Sequence, residues 1–219
     1  LFKAGFEVNV YEIFNDVVKF EPQKTYFGKT LENAPLLNYS NTYDYFPRSG
    51  SAFIQDKIQF SRDGSILSVG VRWDFLDARA QRPIVEFIPT SNDEFQQIVT
   101  GTAKSSFKQQ FSPRLAFAAP MGPSSMFFVN FGHYFQFPLF EYLYSGTNPA
   151  QLRSGAKNVL SGNPDLLPER TIAWEIGYKH AIDENFVGSL TYFRKNMQNQ
   201  IDSKTLIPFD SKAAGDYGF

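Results

Sequence analysis

Residues 162–179 read Gly162-Asn163-Pro164-Asp165-Leu166-Leu167-Pro168-Glu169-Arg170-Thr171-Ile172-Ala173-Trp174-Glu175-Ile176-Gly177-Tyr178-Lys179. The first half holds two prolines, a glycine and an Asn-Pro step, the chemistry of a loop. The second half has a period of two. Ile172, Trp174, Ile176 and Tyr178 share one face, and Thr171, Ala173, Glu175, Gly177 and Lys179 share the other. A turn at Ile182-Asp183-Glu184-Asn185 and a second alternating run through Leu190 and Tyr192 follow. Loop, strand, tight turn and return strand together make one stave of a transmembrane barrel.

The unit recurs. Phe2, Ala4, Phe6, Val8 and Val10 alternate with Lys3, Gly5, Glu7 and Asn9. Leu67, Val69, Val71, Trp73 and Phe75 alternate with Ser68, Gly70, Arg72 and Asp74, and Phe127, Val129 and Phe131 with Asn130 and Gly132. The pattern predicts seven strands, at 2–13, 50–60, 65–76, 106–119, 125–136, 168–180 and 185–196, each near the roughly 9–11 residues that cross a bilayer at a tilt. Short joints (61–64, 120–124 and 182–185) alternate with long ones (14–49, 77–105 and 137–167). Asp63-Gly64 supplies the positive φ that a tight hairpin needs. Short inner turns and long outer loops are the rule in outer-membrane barrels, so 2–13 is expected to run outward and 50–60 back in.

Charge agrees with this reading. A Lys or Arg on the lipid side costs about 2–4 kcal/mol at the bilayer midplane and little near its surface. In the best-defined strands the apolar face is free of charge in mid-strand. Glu12 and Arg194 fall on it and are expected near strand ends. Lys3, Glu7, Arg72, Asp74, Glu175 and Lys179 occupy the other face, as a lumen lining would. Trp73, Phe75, Trp174, Tyr178 and Tyr192 suit aromatic girdles. The chain has 24 Phe and 11 Tyr in 219 residues, a density that suits a lipid-facing sheet. The mean hydropathy of −0.30 comes without any run long enough for a spanning helix. A net charge of −1 with no basic cluster speaks against nucleic acid, and the absence of cysteine removes disulfide and thiol chemistry. A soluble sandwich or lipocalin-like barrel also alternates, but neither predicts the rhythm of loop lengths.

In order and spacing, several segments resemble the signature of TonB-dependent outer-membrane receptors. They are residues 162–179, Phe53-Ile54-Gln55-Asp56-Lys57-Ile58, Val69-Gly70-Val71-Arg72-Trp73-Asp74, Phe111-Ser112-Pro113-Arg114-Leu115 and Phe131-Gly132-His133-Tyr134-Phe135-Gln136-Phe137-Pro138. Asn196-Met197 departs from the acidic residue and isoleucine that members often carry after Tyr192-Phe193-Arg194-Lys195. The resemblance implies an all-β antiparallel barrel of about 22 strands with a plugged lumen in the outer membrane of a Gram-negative bacterium. It also implies uptake of a scarce, bulky ligand (siderophore, cobalamin, glycan or peptide) driven through the TonB complex. No plug-like segment or TonB-contacting motif is read here. An odd strand number and the strand-like Gly215-Asp216-Tyr217-Gly218-Phe219 point to an internal piece, residues 1–219 forming part of one barrel domain. A passive pore or structural barrel is the alternative.

No phosphate loop, nucleophile elbow or zinc helix occurs, and Asp44, Asp165 and Asp183 lie on loops or turns without a paired carboxylate. No catalytic residue, metal or cofactor is expected. His133 and His180 are lone histidines near strand ends, without metal-ligand spacing. Arg72 and Asp74, two apart, form a lumen salt bridge or face a plug or ligand path, and Glu175 and Lys179 share that face. Ligand contact is expected from aromatics of the outer loops. These are Tyr39, Tyr43, Tyr45 and Phe46 in the first and Phe137, Phe140, Tyr142 and Tyr144 in the third. Aromatic rings suit planar ligands at low entropy cost, and equally suit packing the loops together. Outer-membrane lipid, a plug-borne TonB contact and an unidentified external ligand are the expected partners.

Overall fold

The computed structural model describes residues 1–19, 25–26, 29–30, 39–60, 62–89, 95–147 and 161–203. In chain order the elements are β1 (Phe2–Val10), β2 (Ile13–Lys19), β3 (Thr25–Tyr26), β4 (Lys29–Thr30), β5 (Tyr39–Tyr45), β6 (Arg48–Gln59) and β7 (Ile66–Asp77). They continue with β8 (Gln81–Pro89), β9 (Phe95–Lys104), β10 (Lys108–Pro120), β11 (Ser125–Gln136), α1 (Phe140–Tyr144), β12 (Glu169–Ala181) and β13 (Val187–Gln198). Seven of the strands form one antiparallel sheet in the order β1-β6-β7-β10-β11-β12-β13. β1 and β13 are its edges, so the sheet is an open panel and not a closed barrel. These are the seven strands the alternation predicts. The strand entry expected at 215–219 lies outside the described residues.

Register sorts the side chains into two faces. Trp174 lies opposite Phe131 and Arg194, and Ile176 opposite Val129 and Tyr192. Leu115 lies between Phe131 and Val69. The apolar face is open, with Phe6 85% and Leu190 77% exposed, as expected of a surface solvated by lipid. Trp73, Phe75, Trp174, Tyr178 and Tyr192 all fall on it. The other face carries Lys3, Glu7, Arg72, Asp74, Glu175 and Lys179. Three glycines sit directly opposite aromatic rings: Gly5 with Phe53, Gly50 with Phe75 and Gly177 with Phe128. A Cβ at Gly5 would stand 2.7 Å from the Phe53 ring, and those at Gly50 and Gly177 would collide with theirs. The rings cover bare backbone that would otherwise weaken the strand.

Each short joint is a tight turn. Gly64 has φ +74°, and the Asp63 carboxylate accepts the Ser65 amide at 3.0 Å. In the last turn Asp183 accepts the amides of Asn185 and Phe186 at 2.7 and 2.9 Å.

The long joints differ from the expected loops. β2 and β5 pair as an outward extension of the β1–β6 hairpin, offset at Tyr11–Glu12 and Phe46–Pro47, where the Tyr11 amide donates to Pro47 O at 3.0 Å. The predicted strand 2–13 therefore ends at Val10. β8 and β9 extend β7–β10 in the same way, with a bulge at Ile84/Val85. The third joint contains α1. Arg194 also departs from expectation. It lies within β13, opposite Trp174, rather than at the strand end.

Candidate ligand-facing site

The buried core begins at the outward end of the sheet, at Leu76 of β7, and lies mostly above it. Leu76, Ala78, Ala80, Leu143 and Tyr144 are buried together, with Ile13, Tyr43, Tyr45, Phe137, Phe140 and Leu166 packed around them. In-sheet side chains face lipid or the polar side, so the extensions are where apolar groups can meet one another. α1 has only five residues and no side-chain N-cap, so packing must hold it, since a helix this short is marginal alone.

Tyr144 is the hub. It is fully buried, and its hydroxyl donates to Ala78 O at 2.8 Å. Tyr45 stacks on it at 4.4 Å, Tyr43 lies at 5.9 Å, and Phe140, one helical turn back, lies parallel at 5.8 Å. Tyr11 meets Phe140 edge-on at 5.1 Å. The Tyr45 hydroxyl and Thr147 Oγ1 are 3.1 Å apart, and Thr147 donates to Tyr144 O at 2.8 Å. Burial first, then neighbouring phenols and Asp77, pushes the Tyr144 hydroxyl far above its ordinary pKa. Burial also raises Tyr43, with Glu141 adding and a Ser145 hydrogen bond opposing. Both stay neutral at physiological pH, and Tyr144 stays a donor.

The loop read first from the sequence clamps this layer to the sheet. Gly162 and Asn163 donate to Ser145 O and Tyr142 O at 2.5 and 2.9 Å. A Cβ at Gly162 would stand 2.7 Å from Tyr142 O, so only glycine permits this approach to α1. Pro164 and Pro168 are fully buried. Asp165 accepts the Ser106 amide at 3.0 Å and its hydroxyl at 2.7 Å, and forms an ion pair with Lys108. The Lys108 hydrogen bond, then those from Ser106, hold the Asp165 carboxyl well below the usual carboxylate range. Glu169 accepts the Ile201 amide at 3.3 Å.

The predicted site residues are thus partly gathered. Tyr43, Tyr45, Phe140 and Tyr144 form one stack, and Tyr142 turns outward, 40% exposed. Tyr144 is corrected from the expected ligand contact: it lies beneath the stack, where no ligand reaches it. A groove of about 600 Å³ runs along β2 and β5, lined by Glu12, Phe14, Asn15, Asp16, Thr42, Tyr43, Asp44 and Tyr45. Sequence reading names Glu12 and Asp44 but misses their grouping with Asp16, since only the β2–β5 register brings Asp16 beside Thr42 and Asp44 beside Phe14. On the polar sheet face, Arg72 Nε contacts Asp74 at 2.8 and 3.0 Å. Asn130 donates to Glu175 at 3.1 Å, and Lys179 Nζ lies 5.8 Å from the Phe128 ring centroid. Among the described residues no cluster could hold a metal ion.

An amphipathic antiparallel panel with an elaborated layer at one end is part of an outer-membrane barrel. A family model described as TonB dependent receptor-like, beta-barrel matches residues 4–216, and the chain belongs to that family of Gram-negative outer-membrane transporters. Among solved structures, the hemophore receptor HasR of Serratia marcescens matches with a TM-score of 0.55 at 15% identity. That structure is a double mutant in complex with its hemophore HasA and heme. The match covers 92% of this chain and 34% of that one, so the chain spans about a third of HasR's length and the likeness is one of fold. No curated protein sequence matches.

Proposed function

We propose that residues 1–219 are part of one larger barrel domain that takes up a scarce external ligand in a TonB-coupled manner. The whole barrel has about 22 strands, with a plug supplied elsewhere in the receptor. The observation that carries this reading is the aromatic layer above a polar sheet face, since a passive pore needs no packed structure over its mouth. Tyr142 at the surface, with Tyr43, Tyr45 and Phe140 half-buried in the stack, offers ligand contact, and Tyr144 supports them from below. Arg72, Asp74, Glu175 and Lys179 line the lumen or face the plug.

The test is made on the full-length receptor. Purified into planar bilayers, it should show no steady open conductance, and cells should lose uptake of its ligand when the inner-membrane proton gradient is collapsed. Steady conductance together with uptake indifferent to the gradient would identify a passive pore instead.

A further inference from the structure

Three cations lie in a single cross-strand row of the polar face. Lys3 and Arg114 are joined in register through Gln55 and Gly70, and Arg114 and Lys195 through Gly132 and Ala173. Successive cations are three strands apart, roughly 14 Å at the spacing of a sheet. All three are exposed, and none has an ion-pair partner among the described residues. Asp74 and Glu175, on the same face, are engaged by Arg72 and Asn130. Aromatic rings back the cations instead. The Arg114 guanidinium carbon lies 4.9 Å from the centroid of Tyr134, whose ring folds over Gly132, and Lys195 Nζ lies 6.0 Å from that of Phe193. A ring positions a cation without neutralising it.

The row is inclined to the membrane. At the inner side, β6–β7 pairing ends at Gln59 and Ile66, and Ile66 stands opposite Ala118, two residues short of the β10–β11 end at Pro120. Met126, the partner of Pro120, stands opposite Lys179, two residues short of the β12–β13 end at Ala181. The outer limit of the apolar face steps back in the same sense, from Val10 in β1 to Tyr192 in β13. Cross-strand rows thus climb outward from β1 to β13, as the roughly 35–45° tilt of barrel strands requires. Over six strand spacings the row rises by about 17–20 Å. Lys195 stands near the outer rim, Arg114 midway and Lys3 near the inner end.

We infer that this row guides an anionic ligand, one bearing carboxylate or phosphate groups, down the lumen wall. The inference rests on the uptake reading above and names the class of what is taken up. Fixed cations along a cleft concentrate anions there, and several evenly spaced sites let a bound anion leave each for the next. A neutral ligand gains nothing from such a row, and a cationic one is repelled.

The test uses the full-length receptor in planar bilayers, opened with urea at a concentration that leaves the heat-modifiable migration of the barrel intact. Citrate is added on the outer side, and block of the potassium chloride current is read. The variant Lys3→Gln/Arg114→Gln/Lys195→Gln should need about tenfold more citrate than wild type for half block. Lys57→Gln, which removes a cation of the same face but off the row, should shift half block less than Arg114→Gln does. Equal block of wild type and the triple variant overturns the inference, as does block of wild type by uncharged sorbitol equal to that by citrate. So does a steady current from the triple variant before urea while wild type stays closed, since the row would then hold the plug. A steady current from wild type before urea sinks the uptake reading instead, and citrate block is then measured in that open channel. If the triple variant fails to fold, Arg114→Gln and the comparison of citrate with sorbitol on wild type decide.

Discussion

Tyr45 stacks on Tyr144 with 4.4 Å between ring centroids and 23° between planes. This contact fastens the extension of the first hairpin to the helix of the third outer segment. Tyr144 is buried beneath Tyr43, Tyr45 and Phe140, and Tyr142 alone of the α1 tyrosines faces outward. Support and exposure are thus divided between neighbours on a single turn of helix.

Tyr144→Ala should therefore loosen the layer, at about 3–5 kcal/mol for a buried aromatic, without dissolving the sheet. Hydrogen exchange should speed up at residues 76–80 and 140–147 and stay slow in β10 to β12. Tyr144→Phe should show a smaller effect, about 1 kcal/mol for the lost bond to Ala78. Tyr142→Ala should leave exchange unchanged. Equal acceleration by Tyr142→Ala and Tyr144→Ala would remove the distinction.

The Gly177–Phe128 pair predicts a coupling with a definite sign. Gly177→Ala should destabilise the folded receptor by about 1–3 kcal/mol, because its Cβ enters the space of the ring. In a Phe128→Ala background the same change should cost markedly less, which a double-mutant cycle in urea measures. Additive effects would mean that the ring moves aside freely.

Asp165 gives the outer layer a pH dependence. Its folded pKa is depressed, chiefly by the hydrogen bond from Lys108 and then by Ser106. Its contribution is therefore fully present above the unfolded carboxyl value near pH 4, and is lost as pH falls further toward the folded value. Proteolysis of the 161–168 loop by an acid-stable protease should rise below about pH 4 in wild type. Asp165→Asn should cleave readily at neutral pH and show little further change on acidification. A wild-type pattern in that variant would show the clamp to be held by Pro164 and Pro168 alone.

The seven sheet strands were legible because lipid on one side and water on the other leave no choice but alternation, as in Ile172 to Tyr178. Above the membrane that demand lapses. Pro83 and the paired apolar residues Ile84-Val85 hide the period of β8, so 81–104 reads as loop although it pairs as a hairpin. Position along the strand was less legible than face: Arg194 was read on the correct face but nearer the strand end than it lies. The burial of Tyr144 was invisible for a different reason. Its partners, Tyr45 and Ala78, come from distant segments, and no local spacing announces such a meeting. The Asn163-Pro164-Asp165 loop could be read as a loop, but not as a clamp, since Ser106 and Lys108 carry no signal of their own.

The ties among Asp165, Ser106 and Lys108 reach from the start of β10 to the approach of β12, skipping the strand between. Those of Tyr144 with Ala78 and of Tyr45 with Thr147 add two more spans at the same end. At the opposite end the described strands are joined by short backbone turns, such as Met121 to Ser125 and Ile182 to Phe186, and by ties between adjacent strands, such as Ser125 with Tyr178 and His180. Mechanically, the panel is a plate clamped across several strands along one rim and stitched only neighbour to neighbour along the other. Deformation from below would bend the inner turns and die out before the outer layer, while a push on the outer layer would be shared at once by several staves.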